Sequence, residues 1–94
     1  MSSTTPSSAT PSSSAPTVEL MVRVDCHLCE LARGALERVL PAYGIVPSYI
    51  DVDTDSELRA EYGDRVPVTL INGKEHGYFD VDEKRLRAAL DQLT

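Results

Sequence analysis

Both cysteines of this 94-residue chain lie in one Cys-x-x-Cys motif, at Cys26 and Cys29. A mostly apolar run, Val18 to Val24, precedes the motif, and such a run is typical of a strand that is covered on both faces. From Leu28 onward, apolar residues recur every three or four positions, which is typical of a helix that buries one face. The motif therefore lies in the turn between a buried strand and the helix that follows it.

The rest of the chain continues this alternation and ends in a hairpin and a helix. The predicted strands span residues 18–24, 46–52, 66–71 and 74–79, and the predicted helices run from 26 to 40, from 54 to 62 and from 80 onward. Strand–helix–strand order predicts parallel pairing, whereas Asn72-Gly73 predicts a two-residue turn between antiparallel strands. The expected fold is therefore α/β, with the order β-α-β-α-β-β-α and a four-stranded mixed sheet flanked by helices.

Several local signals mark where the helices begin and end. Thr54 with Glu57, and Asp80 with Glu83, have the spacing of capping boxes at helix starts. Pro41 should end the first helix, and Gly63 should follow the second.

Two further features lie inside the first helix. Arg33 and Glu37 are spaced for an ion pair one turn apart. Gly34 costs about 1 kcal/mol in mid-helix relative to alanine, and we attribute it to close packing on the sheet.

The first 17 residues differ in composition from the remainder. They are nearly all Ser, Thr and Pro, without a charged side chain, and such a segment cannot bury enough surface to offset its backbone entropy. We predict a disordered tail over residues 1–17 and one small domain over 18–94. The tail also lacks the basic start and apolar core of a secretory signal.

Charge and cysteine usage limit the function classes. The net charge is -6 and no Lys/Arg cluster is present, which disfavours nucleic acid and anionic membranes as partners. No apolar stretch approaches the ~20 residues of a membrane span. One close pair of cysteines indicates redox or metal chemistry in a reducing compartment, not a disulfide framework. We expect a cytoplasmic monomer.

The position of Cys26 at a helix start favours its thiolate, which is the form that attacks disulfides. An exposed helix dipole contributes about 0.3–1 kcal/mol, so backbone N–H groups must add to it. Protonated His27 would help, and Asp25 opposes by like-charge repulsion. We predict a moderately acidic Cys26, as a reductase needs. Cys29, one helical turn later and nearer the core, would then resolve the mixed disulfide.

The chain from residue 18 to 94 resembles the glutaredoxin branch of the thioredoxin-fold family. The resemblance rests on the segment from Arg23 to Cys29 and on Val66-Pro67 before the third strand. It implies a cis bond before Pro67, a loop beside the cysteines, and substrate pairing by the backbone of Val66. Arg23 stands where glutaredoxins often carry a basic residue near the thiol.

The same resemblance extends to the segment before the last helix. Glutaredoxins grip glutathione there with two glycines and a polar residue. Gly77 corresponds to the first glycine, Tyr78 stands at the second, and Asp80 lies at or near the polar position. The substrate-binding residues implied are Arg23, His27, Val66, Pro67, Gly77, Tyr78 and Asp80. The catalytic residues are Cys26 and Cys29, no bound cofactor or metal is expected, and glutathione or another low-molecular-weight thiol would be the reductant.

The leading hypothesis is a disulfide reductase acting on a disulfide-containing protein or a small-thiol substrate. A non-catalytic domain that holds a partner in the Val66-Pro67 groove is one alternative. A carrier of an iron–sulfur cluster shared between two chains is another. Zinc is disfavoured, because it needs four ligands and only His27 and His76 remain.

Overall fold

The computed structural model describes residues 16–93, and a mixed sheet of four strands lies at their centre. The strands are β1 (Val18–Val22), β2 (Ser48–Asp51), β3 (Val68–Ile71) and β4 (Lys74–Tyr78), in the order β2-β1-β3-β4. β1 is parallel to β2 and antiparallel to β3, and β3 is antiparallel to β4. The predicted α/β fold with a four-stranded mixed sheet is confirmed.

Three helices connect and follow these strands. They are α1 (His27–Val39), α2 (Ser56–Tyr62) and α3 (Glu83–Leu93), with short 3-10 turns at Leu40–Tyr43 and Val52–Thr54. The order is therefore β-α-β-α-β-β-α, as predicted. None of these helices, within residues 16–93, is long and apolar enough to cross a membrane.

The sheet separates two apolar clusters, because successive side chains of a strand point to opposite faces. In β1, Leu20 enters one cluster and Met21 the other. The larger cluster, packed under α1 and α3, consists of Val18, Leu20, Ala32, Leu36, Val39, Leu40, Ile45, Ile71, Leu86 and Leu90. The smaller one is covered by Leu58 and Tyr62 of α2. Burial on both faces explains the continuous apolar run in β1.

The hairpin between β3 and β4 turns at Asn72-Gly73, as predicted. Both residues have positive φ, 53° and 80°, which is the conformation of a type I′ turn. Thr17 donates its N–H to the side chain of Asn72 and accepts the N–H of Asn72. Thr17, the last residue of the predicted tail, thus contacts the folded domain. Residues 1–15 of the predicted tail lie outside the described residues.

The two predicted capping boxes are wrong in detail. Asp55, not Thr54, caps α2 by accepting the N–H of Glu57 at 2.8 Å, because Thr54 belongs to the preceding 3-10 turn. At α3 the carboxylate of Asp82, not Asp80, accepts a backbone N–H, that of Arg85 at 3.2 Å. The capping residue thus lies one residue later than predicted in α2 and two residues later in α3.

The strands are shorter than predicted where the backbone turns. β1 ends at Val22 because Val24 and Asp25 form a turn. β3 begins at Val68, after Pro67, which has no N–H to donate to a ladder. α1 ends at Val39, and Pro41 lies in the first turn of the 3-10 segment, so Pro41 does mark the end of the α-helix.

Two interpretations inside α1 are corrected. A Cβ added at Gly34 would approach only the guanidinium of Arg38, at 3.4 Å, so Gly34 does not pack closely on the sheet. Arg33 forms no ion pair with Glu37; its guanidinium lies 4.2 Å from the ring centroid of Tyr49, over the aromatic face. The pairing of Arg33 with Glu37 was interpreted from their spacing, and the packing of Gly34 from its cost in a helix; neither reveals which side chains of the sheet lie nearby.

Candidate active site

Cys26 is the N-cap residue of α1. Its backbone is extended, and its sulfur accepts the N–H of Cys29 at 3.2 Å. Its carbonyl oxygen accepts the N–H of Glu30 at 3.2 Å. A sulfur in this position faces backbone N–H groups that the helix leaves unpaired, together with the positive end of the helix dipole. The backbone hydrogen bond that the sequence argument required is present.

The two sulfurs are bonded to each other but differ in exposure. Cys26 and Cys29 form a disulfide within the first turn of α1. Cys26 is half-buried, whereas Cys29 is 5% exposed and packs toward the core. Cys26 is therefore the more accessible of the two to an attacking group from outside.

Asp25, directly before Cys26, has a φ of 59°. This left-handed conformation is unfavourable for most residues and tolerable for Asp, Asn and Gly. It explains why a residue of this limited set precedes the motif. The carboxylate is exposed and adds negative charge beside the sulfur.

The register of the sheet brings the other predicted site segments to the same edge. β1 and β3 are antiparallel with Met21 opposite Val68, so the end of β1 and the start of β3 lie side by side. The Val66-Pro67 peptide bond is cis, as the resemblance implied. Tyr78 is opposite Val68, which brings the end of β4 to this edge as well.

A cavity of about 310 Å³ is lined in part by Cys26 and Cys29. Arg23 and Arg33 line it together with the cysteines. The guanidinium of Arg23 is held by the carboxylate of Asp53 at 3.0 Å and by the carbonyl of Gly63 at 3.4 Å. Arg23 is thus brought to the site as predicted, but its charge is already paired.

Three other predicted residues line a separate cavity of about 460 Å³. Gly77, Tyr78 and Asp80 surround it with His76 and Arg85, and the cysteines are not part of its wall. His76 lies at a bulge, since Leu70 and Thr69 pair with Glu75 and Gly77 on either side of it. Burial lowers the pKa of His76; the charge of Arg85 adds to this, and Asp82 opposes it.

The sequence interpretation missed three residues at this edge. Phe79 has a φ of 66° and donates its N–H to the carbonyl of Arg65. Arg65, which directly precedes the cis Val66-Pro67 peptide, forms an ion pair with Glu75 at 3.0 Å. Arg33 follows Cys29 by one helical turn, and that spacing could have flagged it. Phe79 and Arg65 give no such signal, because strand pairing brings them here.

His27 is exposed at the first position of α1, beside the disulfide. Among residues 16–93, no group of three His, Cys, Asp or Glu side chains is placed to hold a metal ion.

A Cys-x-x-Cys pair at the start of the first helix, at the same edge of a four-stranded mixed sheet as a cis-proline loop, defines a thioredoxin-like protein. A mutant thioredoxin from Halobacterium salinarum aligns with a TM-score of 0.61 at 23% identity, over 84% of this chain and 74% of that one. This likeness shows the shared fold. A crystal structure of a protein from X. campestris aligns with a TM-score of 0.69 at 35% identity, covering 83% of this chain and 100% of that one.

Within that class, the family model named Glutaredoxin-like domain (DUF836) matches residues 17–91, and the chain belongs to this family. It is also 42% identical over 84 residues to an uncharacterized protein of Mycobacterium tuberculosis, covering 84% of this chain and 87% of the relative. The Cys26–Cys29 disulfide in such a fold indicates redox activity.

Proposed function

We propose that this protein is a thiol–disulfide oxidoreductase that reduces disulfides through Cys26 and Cys29. The observation that supports it is the arrangement of the two sulfurs: Cys26 is half-exposed at the N-cap of α1, and Cys29 is buried in contact with it. A sulfur that accepts a backbone N–H at a helix start is stabilised as a thiolate.

The reaction proceeds in two exchanges. The Cys26 thiolate attacks one sulfur of the substrate disulfide, forms a mixed disulfide, and expels the other substrate sulfur as a thiolate that takes up a proton. Cys29 then loses its proton and attacks the Cys26 sulfur, which releases the second substrate thiol. Two electrons pass from the dithiol to the substrate, and the Cys26–Cys29 disulfide remains to be reduced by two equivalents of an external thiol.

The surroundings of Cys26 support a reductase more than a strong oxidant. One backbone N–H bond and the helix dipole favour the thiolate, and the exposed carboxylate of Asp25 disfavours it. A strongly oxidising pair would need a far more stable thiolate. We infer a moderately acidic Cys26 and a net reducing role.

We further propose which residues contact the substrate and which thiol reduces the oxidised pair. The backbone of Val66 pairs with the substrate beside Pro67. The substrate also contacts Arg23 and His27 next to the disulfide, and Gly77, Tyr78 and Asp80 at the neighbouring cavity. Glutathione or another low-molecular-weight thiol reduces the oxidised pair, and the protein acts as a cytoplasmic monomer.

Two serine variants test the roles of the cysteines. With the neutral probe bis(2-hydroxyethyl) disulfide, Cys29→Ser should accumulate a mixed disulfide on Cys26, because no second thiol is present to resolve it. Cys26→Ser should show no turnover, since the remaining thiol is buried. Intact mass and peptide mapping after acid quench identify the adduct and its position. Turnover by Cys26→Ser would contradict the proposal.

The matched control is the Cys29→Ser variant unfolded in urea. Unfolding removes the helix start, so the reaction of Cys26 with the probe should slow to the rate of an ordinary cysteine at the same pH. Equal rates in the folded and unfolded variant would show that the fold does not activate Cys26.

A further inference from the structure

We propose that the substrate is an extended protein segment whose disulfide is flanked by apolar and basic residues. This inference rests on the function proposed above and specifies its substrate class. Three observations at the edge of the sheet carry it: an unpaired stretch of backbone, a rim of exposed apolar side chains, and a local excess of negative charge.

The unpaired backbone lies at Val66. Arg65 accepts the N–H of Phe79 through its carbonyl, and the β3 ladder starts only at Val68. Within residues 16–93, the N–H and C=O of Val66 itself take part in no hydrogen bond. A donor and an acceptor on one residue can be satisfied together by an extended partner chain that adds as a short strand.

The apolar rim consists of Val24, Leu28, Tyr78 and Phe79. Val24 is 72% exposed and Leu28 is 43% exposed, on the cysteine side of the edge. Tyr78 and Phe79, 52% and 45% exposed, lie on the cis-proline side, with ring centroids 4.9 Å apart in an edge-to-face contact. Large apolar side chains grouped at one edge are typical of an interaction surface.

The negative charge lies in the four connections at this edge, residues 23–26, 52–55, 63–67 and 79–82. They contain six aspartates, Asp25, Asp53, Asp55, Asp64, Asp80 and Asp82, and two arginines, Arg23 and Arg65. With six aspartates against two arginines, these connections carry a net charge of -4, out of -6 for the whole chain, at the edge of the sheet where the disulfide lies.

Both arginines of these connections are already paired. Arg23 is bonded to Asp53, and Arg65 is bonded to Glu75. Arg33 and Arg85 lie outside the four connections; Arg33 lies over the ring of Tyr49, and the guanidinium of Arg85 lies near Gly77. No Lys or Arg in the four connections, within the part of the chain that the structure describes, is free to hold a carboxylate.

This charge distribution selects among substrates. Glutathione disulfide is net negative at neutral pH and is repelled, whereas a segment with Lys or Arg near its cysteine is attracted. Electrostatic attraction of this kind acts mainly on the association rate and weakens with salt. A segment that also has apolar residues beside its disulfide would bury them against the apolar rim, which stabilises the complex.

The test uses three peptides of equal length, each with one cysteine flanked by Val and Leu and joined to 2-mercaptoethanol as a mixed disulfide. The outer flanks are Lys, Ser or Glu. We measure the rate of substrate reduction by the reduced protein, divided by the rate with dithiothreitol for the same peptide, which removes differences in the intrinsic reactivity of each disulfide.

At low salt the corrected rate should fall from Lys to Ser to Glu, with about tenfold between Lys and Glu. The ratio should shrink as salt is raised, and it should shrink in the Asp64→Asn/Asp80→Asn variant. Glutathione disulfide should react more slowly than the Lys peptide. Equal corrected rates for the three peptides, or faster reaction of glutathione disulfide, would overturn the inference.

The apolar rim is tested with Leu28→Ser and with Phe79→Ser against Val46→Ser. Val46 is 89% exposed but precedes β2 at the opposite edge of the sheet, so its substitution is a matched control. In each rim variant, the rate of reduction should fall more for the Ser peptide than for bis(2-hydroxyethyl) disulfide. Val46→Ser should reduce both substrates at the wild-type rate. Equal losses with both substrates would overturn the apolar contact. Failure to reduce even bis(2-hydroxyethyl) disulfide would refute the proposed function instead.

Discussion

At the scale of single residues, Asp25 has two effects on the thiol beside it. Its backbone adopts a φ that few residues tolerate, and its carboxylate repels the Cys26 thiolate. The two effects can be separated, because Asn tolerates the same backbone conformation without the charge.

We predict that Asp25→Asn makes Cys26 more reactive. Removing a neighbouring charge in a solvated site relieves on the order of 0.7 kcal/mol, which lowers the pKa of Cys26 by about half a unit and speeds alkylation by up to about threefold at pH values below that pKa. The measurement is the pH dependence of iodoacetamide modification of the reduced protein. Glu19→Gln, which removes the same charge at the start of β1, is the control and should leave the rate unchanged.

His76 should make the folded protein sensitive to acid. Its pKa is lowered from 6.5 by burial and by Arg85, against the opposing charge of Asp82. The folded state therefore prefers neutral imidazole, so this contribution to stability is present above pH 6.5 and is lost as pH falls through the lowered pKa.

Accordingly, His76→Gln should reduce the difference between the free energies of unfolding measured at pH about 7.5 and about 5. Urea unfolding of the wild type and the variant at both pH values gives the two differences. A wild type that loses no more stability on acidification than His76→Gln would contradict the prediction.

At the scale of elements, α1 contains a glycine that the structure leaves without a packing role. A Cβ at Gly34 meets only the flexible end of Arg38, and the residue lies in the helix interior. Gly34→Ala should therefore stabilise the protein by roughly 0.5–1 kcal/mol, through higher helix propensity and a less flexible unfolded chain. The midpoint of urea unfolding measures this gain.

Gly63, at the end of α2, should respond to alanine in the opposite way. A Cβ there would lie 2.5 Å from the carbonyl oxygen of Arg59, which is backbone and cannot move aside cheaply. Gly63→Ala should destabilise the protein where Gly34→Ala stabilises it. If both substitutions shifted the midpoint in the same direction, the packing assigned to one of these glycines would be wrong.

The number and order of the elements could be predicted from the sequence, because each strand and helix carries its own apolar period. The caps could not, since Thr54 and Asp55, or Asp80 and Asp82, are all acceptable N-cap residues with suitable neighbours. Which of them caps depends on where the preceding turn ends, and the sheet decides that.

At the scale of the whole molecule, the site is an edge of the sheet and not a segment of sequence. The cysteines could be identified from their spacing, and the cis bond at Pro67 from the family resemblance. The aspartates of the four connections are scattered along the chain, and only the pairing of the four strands brings them to the same edge as the cysteines. The pairing of Arg65 with Glu75 and the cavity lined by His76, Gly77 and Arg85 likewise depend on strand pairing.

The most direct test of the central claim is a redox titration of the whole chain in glutathione buffers, scored by intact mass and peptide mapping. We predict reversible conversion between the dithiol and a form two hydrogens lighter with Cys26 joined to Cys29, and any glutathione adduct on Cys26 alone. A pair that does not change across the titration, or an adduct on Cys29 instead, would contradict the assignment of Cys26 as the attacking thiol.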